Sequence, residues 1–426
     1  MTFIGRAKHA PAVWPARIAW PHSAYARGDT PAATSLLQRA VALYPSDDPR
    51  RLRLLPPLGR TLIEVGETSE AESVLSEAVD KARATGQRAV AMDAAVARSA
   101  LRLHTNSQVG QPEVLLQLEA AIPFFEESGD KAPLARGLGL AGNLRFWRGE
   151  AAAAIEDLER AACLAGEAGE SAQEVESLQY VLVALQYGPT PVGEALARVE
   201  ELKATAEHNR PLQVHVLRAG ACLQAMRGSF ATARHFIEQA GQLAAELGLE
   251  LTLARIALQA GQVELLAGDA VAAEGELRTA YEVLERMENW GYLTSVVPPL
   301  VDALLALGRD KEGQRLTDIA RRHAIPEDVD AQIGWRRVRA KLLARRGDFE
   351  EGERLAHEAM AIAERTDFLE LRARVRADLV EVLHRAGRPE ESASALEESI
   401  RLFEQKGNVA AAGPLRDQLA EWQCEV

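Results

Sequence analysis

Aromatic residues are scarce in this chain. They make up 5% of 426 residues of which 47% are hydrophobic, so the apolar share is mostly Ala, Leu and Val. Such a palette favours helices and offers few strand formers. Cysteine is scarcer still. Cys163, Cys222 and Cys424 are odd in number and far apart, which excludes a disulfide framework and a local zinc knuckle. No apolar run of about 18 residues occurs, so no transmembrane helix is expected. The opening MTFIGRAKHAPAVWPARIAW is broken by Arg6, Lys8, Pro11, Pro15 and Arg17 and has no signal-peptide core. Reduced thiols without an export signal point to the cytoplasm. Positive charge is in deficit. A net charge of −13 argues against broad nucleic-acid binding, and a charged fraction of 26% against a wholly disordered chain.

Catalytic signatures are missing as well. The chain has no GxxxxGK[ST] phosphate loop, no HExxH or CxxC pair and no GxSxG elbow. The histidines are scattered, and His235 beside Phe236 reads as a packed or surface residue. Glu350, Glu351 and Glu353 suit a helix N-terminus through its dipole. Cys163 and Cys222 sit in Ala-rich helices as small core residues. No catalytic residue, metal or cofactor is expected.

What the chain does have is a period. Glycines recur at Gly28, Gly66, Gly149, Gly188, Gly228, Gly268, Gly308, Gly347 and Gly387, spaced 38, 83, 39, 40, 40, 40, 39 and 40. The long interval is two periods with one turn glycine lost near Asn106–Gly110. Five residues after each glycine stands a small residue: Ala33, Ala71, Ala154, Gly193, Ala233, Ala273, Gly313, Gly352 and Ser392. Twelve residues after it stand Ala40, Ala78, Ala161, Ala240, Ala280, Ala320, Ala359 and Ser399, with Glu200 the only exception. Nine residues after it the residue is usually large, as in Leu37, Leu75, Leu158, Ile237, Leu277 and Leu396. These offsets fall on one helical face, so each helix presents a small–large–small seam to its neighbour.

The pattern resembles the tetratricopeptide repeat, a helix–turn–helix unit with small residues seven apart in its second helix. Gly59, Gly142 and Gly261, seven residues before their turns, and Phe230 and Phe349, two after, match that family. The period of 40 instead of 34 implies longer helices or connectors; HEAT-like repeats have the length but not the alanine columns. The fold expected is all-α: a right-handed α-solenoid of about ten tetratricopeptide-like hairpins. Its expected parts are an irregular segment 1–15, the repeats over 16–407, and a capping helix and tail over 408–426.

First helices are expected near 50–65, 88–104, 131–148, 172–187, 210–227, 249–267, 292–307, 328–346 and 368–386, preceded by a short one before Gly28. Pro298 and Pro299 should kink theirs or delay its start, and Gly188-Pro189-Thr190-Pro191 is an atypical turn.

Charge points toward a surface. Over these nine first helices it sums to +13, which leaves −26 for the rest. In tetratricopeptide-like superhelices the first helix lines the concave side, so the resemblance implies a basic groove. Candidate partner-binding residues are Arg136, Arg145, Trp147, Arg148, Arg218, Trp335, Arg336, Arg337, Arg339, Arg372 and Arg376. The rival expectation is that Arg336, Arg337 and Arg339 pair with Glu350, Glu351 and Glu353 across their hairpin.

The segments Ala26-Arg27-Gly28-Asp29-Thr30-Pro31-Ala32-Ala33, Leu36-Leu37-Gln38-Arg39-Ala40 and Asp47-Asp48-Pro49-Arg50-Arg51-Leu52, with Leu402 to Ala412, resemble the C-terminal repeat arm of large bacterial regulators. Those regulators join a nucleotide cyclase or DNA-binding module to an AAA-type or STAND ATPase. This chain carries none of those modules, so their activities do not transfer. The function expected is a non-catalytic scaffold that binds a protein or peptide, acidic in character, in its groove. The alternative is a detached sensor arm that binds a small anionic effector or regulates a cyclase or ATPase partner. Neither nucleic acid nor membrane is expected as a partner.

Overall fold

The computed structural model describes residues 30–105 and 111–424. Among them are twenty α-helices, one 3-10 turn and no strand. The first helices are α2 Pro49–Glu64, α4 Arg88–Thr105, α6 Lys131–Trp147, α8 Ser171–Tyr187, α10 Arg210–Met226, α12 Glu250–Leu266, α14 Trp290–Ala306, α16 Val329–Arg346 and α18 Leu369–Arg385. Each lies within two residues of its expected place. The second helices are α1 Thr30–Ala42, α3 Thr68–Ala84, α5 Gln111–Ser128, α7 Ala151–Ala168, α9 Val192–Thr205, α11 Phe230–Glu246, α13 Ala270–Arg286, α15 Asp310–His323, α17 Phe349–Ala363 and α19 Pro389–Lys406, followed by α20 Val409–Cys424. The fold is an all-α helical-repeat solenoid. The helix expected before Gly28, the 1–15 segment and the lost turn at Asn106–Gly110 lie outside the described residues.

The small-residue seam is where the helices meet. Ala71, Ala154, Ala233, Ala273, Ala78, Ala161, Ala240, Ala280 and Ala359 are fully buried. At the last hairpin the seam turns polar without losing its closeness. Ser392 Oγ donates to the Val380 carbonyl at 3.0 Å and Ser399 Oγ to that of Ala373 at 2.9 Å. The large residue of the seam meets a glycine. A Cβ added at Gly261 would stand 2.3 Å from Leu277 Cγ, and one at Gly59 would stand 2.4 Å from a Leu75 methyl. Gly275, on the same hairpin as Gly261, has nothing within 4 Å of such a Cβ. The same change therefore has opposite signs at the two sites. Gly261→Ala is expected to lower stability by about 1–3 kcal/mol through overpacking, and Gly275→Ala to raise it by up to about 1 kcal/mol through helix propensity. Urea midpoints of the two variants check this, and equal shifts would contradict the seam.

The exception Glu200 has a structural cause. Gly188 is not the left-handed turn residue of its hairpin; the turn glycines with positive φ include Gly149, Gly228 and Gly268. Gly188-Pro189-Thr190-Pro191 lengthens the turn by two residues, so Ala195, Val199 and Leu202 take the buried seats while Gly193 and Glu200 face solvent. Of the two effects expected of Pro298 and Pro299, a delayed helix start does not occur, since α14 begins at Trp290, ahead of both.

The chain forms two compact units. Among the described residues, one comprises 30–105 and 111–141 with Asp157–Ser177. Its core gathers Leu37, Leu52, Leu55, Leu75 and Leu101. Half-buried charges form a ladder across its first helices, in which Asp93 of α4 accepts from Arg60 of α2 at 3.1 Å and from Arg136 of α6 at 2.9 Å.

The other unit comprises Gly142–Glu156 and everything from Leu178 onward. Here the first helices pack on one another in series, α10 on α12, α12 on α14, α14 on α16 and α16 on α18, while α11, α13, α15, α17 and α19 pack on their adjoining first helices. The series closes on itself. The Phe368 ring lies 5.1 Å from that of Phe146 and 6.0 Å from that of Tyr187, tilted against both. The Asp367 carboxylate accepts from the Ala151 and Ala152 amides at 2.7 and 2.8 Å, capping the N-terminus of α7. Lys406, fully buried, donates from Nζ to the carbonyls of Leu185, Gly188 and Thr190 at 2.8, 2.8 and 2.7 Å, at the C-terminal end of α8. An acid caps an N-terminus and a base caps a C-terminus, each from a segment more than 200 residues further along.

Candidate functional site

The closed series in the second unit surrounds a cavity of 70 Å³. Six first helices contribute to its wall: Tyr187 from α8, Cys222 from α10, Gln262 from α12, Ser295 from α14, Arg337 from α16 and Arg374 from α18. The volume admits a side chain or a few waters rather than a folded domain. Pro298 also lines it and removes a helical amide, which frees the Thr294 carbonyl; Pro299 likewise frees that of Ser295. Acceptors, donors and apolar atoms thus converge on one concave space, as in ligand sites generally.

Ionic contacts along this wall run from one first helix to the next. Arg337 is bound by Asp302 of α14 at 2.7 Å and by Asp378 of α18 at 2.9 Å. Lys341 meets the same two carboxylates at 2.5 and 2.8 Å. Burial alone would raise the Asp302 carboxyl, but Arg337 and Lys341 hold it far below the usual range. Arg374 pairs with Glu370 at 2.7 Å, and Glu370 also accepts from Asn408 at 2.9 Å. Asp330 accepts from Ser295 Oγ at 3.1 Å and is raised by burial. Burial pushes the Cys222 thiol up to about 12, which keeps it a thiol and not a nucleophile. A second cavity, of 380 Å³ in the first unit, is lined largely by alanines of α3–α5 and lacks a comparable set of polar groups.

The residues singled out by charge scatter over this architecture. Arg337 lines the cavity of the second unit, Arg218 lies one turn before the cavity-lining Cys222, and Arg136 lies in the ladder of the first. Arg145 sends Nη1 to the Ala153 carbonyl at 3.5 Å, Arg148 meets Glu150 at 3.4 Å, and Trp147 is half-buried. Arg336 lies over Trp335 at 4.3 Å and bonds Glu358 at 3.2 Å, and Arg339 bonds Asp318 at 2.9 Å, both reaching second helices. Trp335 itself packs against the core. Arg376 bonds Glu364 at 2.8 Å, and its neighbour Arg372 leaves a buried Nε without a partner. Glu370, Arg374 and Asp378 share one face of α18, and Arg372 and Arg376 share another. The pairing of Arg336, Arg337 and Arg339 with Glu350, Glu351 and Glu353 does not form. Glu351 and Glu353 are held instead by Arg354 and Arg388.

Sequence reasoning missed Arg255 and Gln259, and it left Arg374 off the candidate list although Arg374 stands in the basic run with Arg372 and Arg376. The signal for Arg255 and Gln259 is a position counted back from the turn glycine rather than a local cluster of charge.

The tetratricopeptide-repeat family model matches residues 332–405. Among solved structures the chain is similar to that of a Rap protein complexed with Competence and Sporulation Factor, at 14% identity over 87% of this chain and 99% of that one, with a TM-score of 0.57. It is similar to the apo form of the quorum sensor NprR from B. thuringiensis, at 14% identity over 93% and 100%, with a TM-score of 0.50. The APC/C hetero-tetramer Cut9–Hcn1 matches at 9% identity over 95% and 90%, also with a TM-score of 0.50. At such identities the likeness is one of fold, the tetratricopeptide-like helical solenoid. No curated protein matches the chain significantly. Among the described residues no helix is long and apolar enough to cross a membrane.

Proposed function

We propose that the chain is a non-catalytic scaffold that binds an extended segment of a protein or peptide along the concave wall of its second unit. The observation that carries this is the convergence of six first helices on one cavity, inside a series tied shut by Asp367 and Lys406. A solenoid that closes on itself leaves its inner wall as an enclosed binding surface. Two structural neighbours agree with a ligand-receiving role: the Rap structure contains Competence and Sporulation Factor, and NprR is described as a quorum sensor. Cytoplasmic work beside a cyclase or ATPase is the narrower form of this proposal, and it rests on the sequence resemblance alone.

Gln262 is half-buried and lines the cavity, where it hydrogen-bonds Tyr187, so Gln262→Trp should fill the space. Wild type and variant, each tagged, are to be incubated with extract of the native cell and their retained proteins and peptides compared by mass spectrometry. A species retained by wild type and lost in the variant, with the variant still folded by circular dichroism, is expected. Identical retention would contradict the proposal.

A further inference from the structure

The arginines Arg337 and Arg374 that line the wall of the second unit are each paired with a carboxylate, and at one place nearby that pairing is missing. Counted back from the turn glycines, Arg218 and Arg337 occupy the same seat, ten residues before Gly228 and Gly347. Their partners on the next first helix also correspond, nine residues before Gly268 and Gly387. For Arg337 that partner is the Asp378 carboxylate at 2.9 Å; for Arg218 it is the Gln259 amide oxygen at 2.7 Å. A neutral amide stands where the Arg337 pair has its counter-charge.

The next arginine repeats the omission. Arg255, Arg374 and Arg136 all stand thirteen residues before their turn glycines. Arg374 has Glu370 and Arg136 has Asp93, whereas Arg255 faces only the ring of Tyr292, 4.9 Å away. Among the described residues neither Arg218 nor Arg255 forms an ion pair, although they are only 4% and 8% exposed. The third member of the group is no counter-charge either. Arg218 Nη1 lies 2.9 Å from His215 Nδ1. A guanidinium only donates, so Nδ1 accepts and the ring proton sits on Nε2. Burial, with Arg218 and Arg255, holds His215 well below its ordinary value and therefore neutral. Burial and Arg255 likewise press Arg218 below its ordinary range.

Arg218, Gln259 and Tyr292 lie three or four residues before the cavity-lining Cys222, Gln262 and Ser295 on the same helices. They share those residues' faces, one turn along. The geometry points to an oxyanion site on the concave wall, formed by Arg218 and Arg255 with His215, whose occupant is a carboxylate of the bound peptide segment. Two guanidiniums can grip one carboxylate in the fork geometry that arginine favours. This assignment rests on the reading of the second unit as the binding surface, and it adds the chemistry of what is bound there.

The test uses the full chain and three probes at matched ionic strength: N-acetylglycine for a chain end, N-acetylaspartic acid methylamide for an acidic side chain, and inorganic phosphate. At least one carboxylate is expected to bind by calorimetry and to raise the melting temperature, and the stronger of the two identifies its source. Gln259→Glu and Arg255→Leu should each weaken that binding at least about tenfold. Both variants should also melt, without probe, at or above the wild-type temperature, because each relieves a buried charge that has no partner. A purely structural arginine would instead melt lower when removed. Indifference to both carboxylates, binding of phosphate alone, or Gln259→Glu binding as wild type does would overturn the assignment. Should the carboxylates fail while Gln262→Trp still abolishes capture, the oxyanion site falls and the concave-wall reading stands. Carboxylate binding that survives alongside capture unaffected by Gln262→Trp has the reverse meaning.

Discussion

Arg337→Leu is expected to lower stability by about 3–5 kcal/mol, the range for removing one partner from a buried ion network. Arg337 lies between Asp302 and Asp378, with only 5% of its side chain exposed. Without it two buried carboxylates share Lys341 alone. The loss should depend on pH in a defined direction. In wild type the Asp302 carboxyl is held far below its ordinary value, so its contribution is complete at neutral pH and fades only in strong acid. In the variant the uncompensated carboxylates take up protons more readily than in the unfolded chain. Their folded-state values are then raised, and stability is lost as pH rises through them. The deficit is therefore largest near neutrality and shrinks toward pH 5. Urea midpoints of wild type and variant across that interval check both the size and the slope. The same contacts change the meaning of reversing Arg336, Arg337 and Arg339 together. Arg337→Glu would bring a third carboxylate into the buried space between Asp302 and Asp378 and unfold the wall, so only Arg336 and Arg339 can report on surface charge.

Lys406→Met should cost about 3 kcal/mol or more, because it strands three backbone carbonyls at about 1–3 kcal/mol for each buried group left without a partner. The damage should be local in sequence at two remote places. Amide exchange should quicken at the end of α8 and in α19 together, since the ammonium bridges them. Exchange that quickened in α19 alone would mean that the closure carries no energy. The result also bears on how the repeats cooperate. A solenoid in which each repeat touches only its neighbours loses stability stepwise on truncation. Here, removal of the residues from Glu370 onward also takes away Lys406, Arg374 and Asp378, so the loss should exceed that of one hairpin.

The helices were legible because the signals that set them are short. The alanine at five, the leucine at nine and the alanine at twelve residues after a turn glycine act within one helix and its neighbour, and Ala273, Leu277 and Ala280 are buried as that spacing requires. Gly188 misled for an equally local reason. It allows a close approach, since a Cβ there would stand 2.5 Å from that of Ala151, and it does not make a left-handed turn. The candidate site was less legible. Summing charge helix by helix gave +13, but charges on successive first helices pair with one another, as Asp93 does with Arg60 and Arg136, 33 and 43 residues away. On α18, Arg372 and Arg376 drew attention through their density, while Arg374 between them lines the cavity. Asp367 and Lys406 carry no signal in a repeat pattern, because their partners lie more than five periods away and are chosen by how tightly the helices wind.

The claim that the concave wall of the second unit is the binding surface meets its most direct test in site-specific photocrosslinking. A benzophenone amino acid is placed at Gln262, on the wall, and separately at Glu282, exposed on the second helix α13. After irradiation in extract of the native cell, intact-mass analysis should find a discrete adduct on the Gln262 protein and none on the Glu282 protein. An adduct confined to Glu282, or equal at both positions, would contradict the account.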